Sequence, residues 1–257
     1  MKFYTNVVRA GNKILYRGYE SGSRVERRIP YTPTLFVESN RASGKFKTLY
    51  GKAVEPMQFG SMSEASDFMK QYENVPNFSV HGQTNYVTQF IGDTFPNDIK
   101  FDRDLINVLT IDIEVASDQG FPHPREAAHP IISIAAKSNQ SNTYYVWGMD
   151  DYDESLNDCD VTYFRCENEY NLLTAFLGWW QGNCPDVLTG WNSKLFDIPY
   201  LVRRTQQVLH AEAVKKFSPW GLVDFQKVVK RGREQITYKI QGIQMLDYLD
   251  LFQKFGY

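Results

Sequence analysis

Leu109-Thr110-Ile111-Asp112-Ile113-Glu114-Val115 alternates apolar and polar residues with a period of two. In a β-strand that period sends Leu109, Ile111, Ile113 and Val115 to one face and Thr110, Asp112 and Glu114 to the other. The two carboxylates then stand about 7 Å apart at Cα, near enough for their side chains to converge on one cation. Unpaired, they repel, and one takes up a proton. A divalent ion removes that penalty, and hard oxygen donors select Mg²⁺ or Mn²⁺ over zinc. The same pattern also fits an amphipathic edge strand with a polar outer face.

A second stretch, Gly190-Trp191-Asn192-Ser193-Lys194-Leu195-Phe196-Asp197-Ile198-Pro199-Tyr200, puts one carboxylate at a helix start directly after a strand. Alone, Asp197 reads equally well as an N-cap, a role that contributes about 1 kcal/mol. Taken with the first stretch, it supplies a third carboxylate, and a hydrolytic two-metal site becomes conceivable.

Around these stretches, Leu105–Val115, Ile131–Lys137, Thr143–Trp147 and Val161–Cys166 read as strands. A helix over Glu167–Gln181 follows, with Leu172, Leu173, Phe176, Leu177 and Trp180 on one face. Asp186–Trp191 is a strand, and Asp197–Leu209 a helix that tolerates Pro199 in its first turn. Val223–Val229 and Glu234–Ile240 flank Lys230-Arg231-Gly232-Arg233 as a hairpin. Ile243–Asp247 is a last strand, running into a short helix that ends at Tyr257. Strands followed by alternating helices and strands give a mixed sheet with helices on its faces, an α/β domain over residues 101–257. Residues 1–100 form a smaller α+β unit with strands at Phe3–Arg9, Lys13–Tyr19, Glu26–Ile29 and Thr34–Glu38. Ser61 and Glu64 have capping-box spacing there, ahead of an apolar helix face at Ala65, Phe68, Met69 and Tyr72. Phe95-Pro96-Asn97-Asp98 marks the boundary.

At 257 residues, with 42% hydrophobic and 23% charged residues, the chain has the composition of a folded globular protein rather than a disordered or fibrous one. No apolar run reaches the roughly 20 residues of a membrane span, so no membrane partner is expected. The N-terminus lacks a secretory signal, and Cys159, Cys166 and Cys184 follow no zinc spacing; both point to a cytoplasmic protein with reduced thiols. Net charge is −2, but it is segregated. Residues 1–100 carry 13 Lys/Arg against 9 Asp/Glu, residues 101–200 carry 5 against 16, and residues 201–257 carry 10 against 5. An acidic centre between basic flanks suits cation binding beside phosphate attraction. Solvated acidic loops give the same counts.

Asp112-Ile113-Glu114 followed by Trp191–Tyr200 resembles the first two exonuclease motifs of family B DNA polymerases, those of T-even-like bacteriophages in particular. The resemblance also takes in Gly120-Phe121-Pro122, His129-Pro130-Ile131, Leu188-Thr189-Gly190 and Leu246-Asp247-Tyr248. In the first unit it includes Tyr31-x-Pro33-x-Leu35-Phe36 and Tyr50-Gly51-Lys52, so it covers nearly the whole chain. It implies an N-terminal domain followed by a ribonuclease H-like 3′–5′ exonuclease domain that removes mispaired primer ends. It further implies that Asp112, Glu114 and Asp197 ligate two Mg²⁺ or Mn²⁺ ions. Asn192 would contact the frayed primer end, and Phe121 would wedge against a terminal base. The hairpin with Lys227, Lys230, Arg231 and Arg233 would help part primer from template. Single-stranded or primer-template DNA is the implied partner, in the cytoplasm of a bacterial host.

Pattern alone allows plainer roles. Phe121 could plug the core beside Pro122, and the hairpin could be a solvated cationic turn. His123 and His129 read as structural or solvated, Asp247 and Asp250 as capping or salt-bridging residues, and Trp179 and Trp180 as a helix face and its margin.

The family's third exonuclease motif, a Tyr with an Asp four residues later, has no counterpart after Asp197. Tyr200 is followed by Arg204, Tyr238 by Gly242 and Tyr248 by Phe252, and Tyr257 is the last residue. The family's palm, fingers and thumb motifs are likewise absent. The expectation is a site short of one ligand and an isolated chain that is weakly active or inactive. Two explanations stay open, a piece of a longer polymerase and a subunit of a split one completed by a second polypeptide. Other classes stay open too, a non-catalytic module binding DNA or its own messenger RNA and a stand-alone nuclease.

Overall fold

The computed structural model describes residues 1–39, 44–117, 120–156, 158–230 and 232–256. They form two compact units, Met1–Phe101 and Asp102–Tyr257.

The first unit opens with an antiparallel meander of β1 (Lys2–Ala10), β2 (Lys13–Glu20) and β3 (Ser23–Pro30). Gly18 lets β1 and β2 close up: a Cβ there would lie 2.2 Å from the Phe3 carbonyl oxygen. A second antiparallel sheet, in the order β5-β6-β4-β7, comprises β4 (Thr34–Glu38), β5 (Phe46–Lys47), β6 (Ala53–Gln58) and β7 (Val80–His81). Two helices accompany it, α1 (Met62–Tyr72) and α2 (Tyr86–Thr94). The Ser61 hydroxyl caps α1 by accepting the Glu64 N–H at 3.1 Å. The returning bond differs from a standard capping box, because Glu64 accepts from the Gly60 N–H instead of that of Ser61. Ile14, Tyr16, Leu35, Phe59, Met62, Tyr86 and Phe90 form the core. No residue pattern announces β5, β6, β7 or α2. The two-residue strands are too short for a period, and α2 is set by the Asn85 side chain, which accepts from Val87 and Thr88.

The second unit is built on β8 (Val108–Val115), β9 (Ile131–Ser138), β10 (Tyr144–Gly148), β11 (Val161–Arg165), β12 (Val187–Thr189) and β15 (Gln244–Met245), in the order β11-β10-β9-β8-β12-β15. Only β9 runs antiparallel to its neighbours, and the other pairs are parallel. Helices α3 (Glu169–Asn183), α4 (Asp197–Leu209), α5 (Ala211–Val214) and α6 (Tyr248–Phe255) and the hairpin β13 (Val223–Lys230) and β14 (Arg233–Ile240) complete it. This mixed α/β arrangement is ribonuclease H-like. The apolar face of β8, Leu109, Ile111 and Ile113, shares one core with Leu172, Phe176 and Trp180 of α3 and Ile198, Leu201 and Val202 of α4. Each such buried side chain contributes about 1.5–3 kcal/mol.

Boundaries moved for identifiable reasons. Residues 103–105 form a 3₁₀ turn capped by Asp102, so the first strand starts at Val108 rather than Leu105. Helix α3 begins two residues late because Asn168 caps it, accepting from Asn171. The predicted strand Asp186–Trp191 is only Val187–Thr189, since its pairing with β8 ends at Thr189↔Thr110. The last strand shrinks to Gln244–Met245. Helix α6 is described as far as Phe255, and Tyr257 lies outside the described residues. Among the described residues, no helix is long and apolar enough to cross a membrane.

A partly buried ion pair ties this unit together. Glu169 accepts the Ile131 N–H at 2.8 Å and a forked pair of bonds from Arg204, each 2.7 Å long, while Arg204 also donates to the Ala127 carbonyl at 3.3 Å. The start of β9, α3 and α4 thus meet at one fully occupied carboxylate. Tyr200 adds a second link, its hydroxyl donating to the His129 carbonyl and accepting the His129 N–H.

Candidate exonuclease site

The alternation read from the sequence is present in β8: Leu109, Ile111 and Ile113 are buried, while Thr110, Asp112 and Glu114 are exposed. Strand β12 pairs with β8 only from Val187↔Val108 to Thr189↔Thr110. Beyond that point the Ile113 N–H has no strand partner, and Asp197 Oδ1 accepts it at 3.1 Å. Asp197 is the first residue of α4 and is 3% exposed. It does not cap its helix. The N-cap position belongs to Phe196, which makes no side-chain cap bond. The carboxylate instead patches the sheet where β12 leaves it, and this sets it beside Asp112.

That placement has an electrostatic signature. Burial, followed by the negative charge of Asp112, pushes the Asp197 carboxyl up to about 7, with Asp247 adding to the rise. The bond from the Ile113 N–H opposes the shift without cancelling it. Gly190 makes the geometry possible. A Cβ at that position would stand 2.6 Å from the Ile111 carbonyl oxygen and 2.9 Å from Ser193 Cβ.

Between β12 and α4 the chain makes a tight loop with Asn192 in the left-handed region at φ 58°. The Asn192 carbonyl accepts from Leu195 and Phe196. Asp247, which caps α6 through the Leu249 N–H, also accepts from the Asn192 N–H at 3.1 Å and the Lys194 N–H at 2.9 Å. Thr237 of β14 donates to the Lys194 carbonyl at 2.8 Å, joining the hairpin to the same loop.

Phe121, Asn192, Phe196, Lys230 and Arg233 line a groove of about 820 Å³. An adjoining hollow of about 420 Å³ is lined by Glu114, Pro122, Phe121 and Phe196. The last two rings, with centroids 5.4 Å apart, are shared by both spaces. Phe121 is 83% exposed, so it does not plug the core. At the hairpin, Lys230 opposes Arg233, and Lys230 Nζ pairs with Asp250 at 2.7 Å. Arg231 lies outside the described residues. Lys227 and Arg125 both approach Glu234, at 3.1 and 3.8 Å.

The predicted residues therefore fall in two neighbouring groups. Asp112 and Asp197 stand side by side, with Glu114 two residues along β8 at the mouth of the smaller hollow. Phe121, Asn192, Lys230 and Arg233 share the larger groove. Among the described residues, no three His, Cys, Asp or Glu side chains form a ready metal-binding cluster. His123 accepts the Arg125 N–H within its own loop. Sequence reasoning missed the Glu169–Arg204 pair and the reach of Asp247 across to Asn192.

Comparison with known proteins agrees with this architecture. The family model described as DNA polymerase family B, exonuclease domain, matches residues 56–257. The chain is 31% identical to the DNA-directed DNA polymerase of Enterobacteria phage T4 over 280 aligned positions, and 31% identical to that of Escherichia phage RB69 over 285. In both alignments all of this chain is covered, against 31% of the relative. The DNA polymerase delta catalytic subunit of Schizosaccharomyces pombe is 26% identical over 201 positions, covering 74% of this chain and 18% of that protein. The chain thus spans about a third of the length of the phage relatives it matches. It belongs to the family B DNA polymerases and carries their exonuclease domain.

Proposed function

We propose that this chain is the N-terminal and proofreading portion of a phage replicative DNA polymerase. In this reading it removes 3′-terminal nucleotides from mispaired primer ends when completed by the remaining polymerase part, in the same polypeptide or a second one. Its place of action is the cytoplasm of a bacterial host. The observation that carries the reading is the Asp197 carboxylate held on the Ile113 N–H beside Asp112. An acid raised first by burial and then by a neighbouring acid supports a functional role at this spot, and the hard oxygens of the two would suit Mg²⁺ or Mn²⁺.

Asp112, Glu114 and Asp197 are the residues that would hold the ions. When bound, divalent ions at such a site lower the pKa of an attacking water and stabilise charge on the leaving 3′ oxygen. The rest of the work belongs to the groove. Phe121 offers an exposed ring for a terminal base, and stacking of this kind tolerates any sequence. Asn192 borders the same space with a side-chain amide for the terminal nucleotide. Lys230, Arg231 and Arg233 attract phosphates. The relatives are DNA-directed DNA polymerases, which favours DNA over RNA as the partner.

The alternative is a binding module without catalysis, and metal dependence separates the two. Mn²⁺ should bind the purified chain and should no longer bind Asp112→Ala. DNA binding indifferent to both the ion and the substitution would refute the nuclease reading. The isolated chain should degrade single-stranded DNA feebly or not at all. Robust Mg²⁺-dependent degradation would show that it needs no completing part.

A further inference from the structure

From the position of its carboxylate, we infer that Asp247 is a positioning residue for the nuclease site, holding the Asn192–Asp197 loop in register with β8. The inference rests on the proposed nuclease reading for its consequence, but on separate observations for its geometry. Asp247 is buried, and its two oxygens accept three backbone N–H groups, those of Asn192, Lys194 and Leu249. One of these caps α6. The other two reach back across 55 and 53 residues to the loop between β12 and α4.

That loop needs an external hold. Asn192 sits in the left-handed region, which asparagine enters more readily than other side chains but which it rarely holds unaided. Nor does α4 supply a side-chain cap of its own to anchor the loop's end. Two further bonds run beside the clamp: the Leu246 N–H donates to the Leu188 carbonyl, and the Tyr248 N–H to the Gly190 carbonyl. Residues 246–248 therefore continue the pairing that β15 begins with β12, and Asp247 ends it by turning onto the loop. Trp191, packed on Tyr248 and Phe252 with centroids 5.9 and 5.7 Å away, lies at the join. Asn192 faces the groove and Asp197 faces β8, so the loop spaces the terminal-nucleotide contact from the acidic pair. Asp247 fixes that spacing.

The test separates capping from clamping. Serine caps helices about as well as aspartate, so Asp247→Ser should keep α6 while giving up the bonds to Asn192 and Lys194. Binding of a fluorescein-labelled oligothymidylate is followed by anisotropy in EDTA, alongside thermal melting and Trp191 emission. Asp247→Ser should bind at least about tenfold more weakly, as expected when a contact residue is displaced, and should show red-shifted emission with an intact fold. The double variant with Asn192→Ala should bind no worse than the weaker single variant, because Asp247 acts through Asn192. Fully additive losses would overturn the inference. If Asp247→Ser fails to fold, Asp247→Asn carries the same test: its amide can still accept from Asn192 but opposes the Lys194 N–H with a donor, so an intermediate loss is expected, and wild-type affinity would refute the clamp. Should the wild-type chain bind no oligonucleotide either in EDTA or with Mn²⁺, the nuclease reading fails, and Trp191 emission decides the clamp alone. An unshifted spectrum in Asp247→Ser would then dismiss it.

Discussion

Asp197 and Ile113 are joined by a hydrogen bond that stands where a β-strand would otherwise continue. The carboxylate accepts an N–H left over when β12 leaves the sheet, one residue from Asp112. Fold and chemistry share this atom pair, and it gives the first prediction.

Without divalent ions, Asp197 titrates near 7 in the folded chain, against about 3.8 as a model acid. The folded state keeps its proton to higher pH than the unfolded state, so stability declines as pH rises through that window. Melting temperatures in EDTA should fall between about pH 4 and pH 7. Asp197→Asn, which keeps an acceptor for Ile113, should flatten that slope.

Asp112→Asn removes the repulsion from its side. In EDTA at neutral pH it should leave stability unchanged or raise it by up to about 1 kcal/mol. A clear loss of stability in urea melts would mean that the polar face of β8 is structural.

Arg204→Met should be costly. It leaves the partly buried Glu169 carboxylate with only the Ile131 N–H, and stripping an acceptor of its partner in this way typically costs about 1–3 kcal/mol. Chemical denaturation would measure this, and the double variant with Glu169→Gln should recover part of the loss.

Gly190→Ala would drive a methyl into the backbone oxygen of Ile111 at 2.6 Å. Backbone cannot swing aside as a side chain does, so a loss of about 1–3 kcal/mol is expected. Because the loop to Asp197 starts there, Mn²⁺ affinity should fall with it.

Phe121→Ala touches an exposed ring and should change stability by less than about 0.5 kcal/mol. Oligonucleotide binding should weaken by about 1–3 kcal/mol, the usual worth of one base stacked on an aromatic ring.

Much of this was legible in the sequence because the deciding signals are local. The period-two alternation of β8, the apolar face of α3 and the Lys230–Arg233 turn each lie within a few residues. The capping and ion-pair roles foreseen for Asp247 and Asp250 are also seen, one on the Leu249 N–H and one on Lys230. Less legible was anything a side chain does at a distance. No pattern around Asp247 announces that it reaches Asn192, and none links Glu169 to Arg204, 35 residues on. The N-cap alternative for Asp197 was reasonable by position, and it failed because the Ile113 N–H of β8, left unpaired where β12 ends, takes its carboxylate instead.

The Lys230–Asp250 bond bears on how the hairpin would meet a polyanion. An ammonium already held at 2.7 Å by a carboxylate exchanges one anionic partner for another when a phosphate arrives. Fewer condensed counterions are then released per basic residue than for an unpaired lysine. Affinity at this hairpin should therefore depend on ionic strength less steeply than a count of its cationic side chains would indicate.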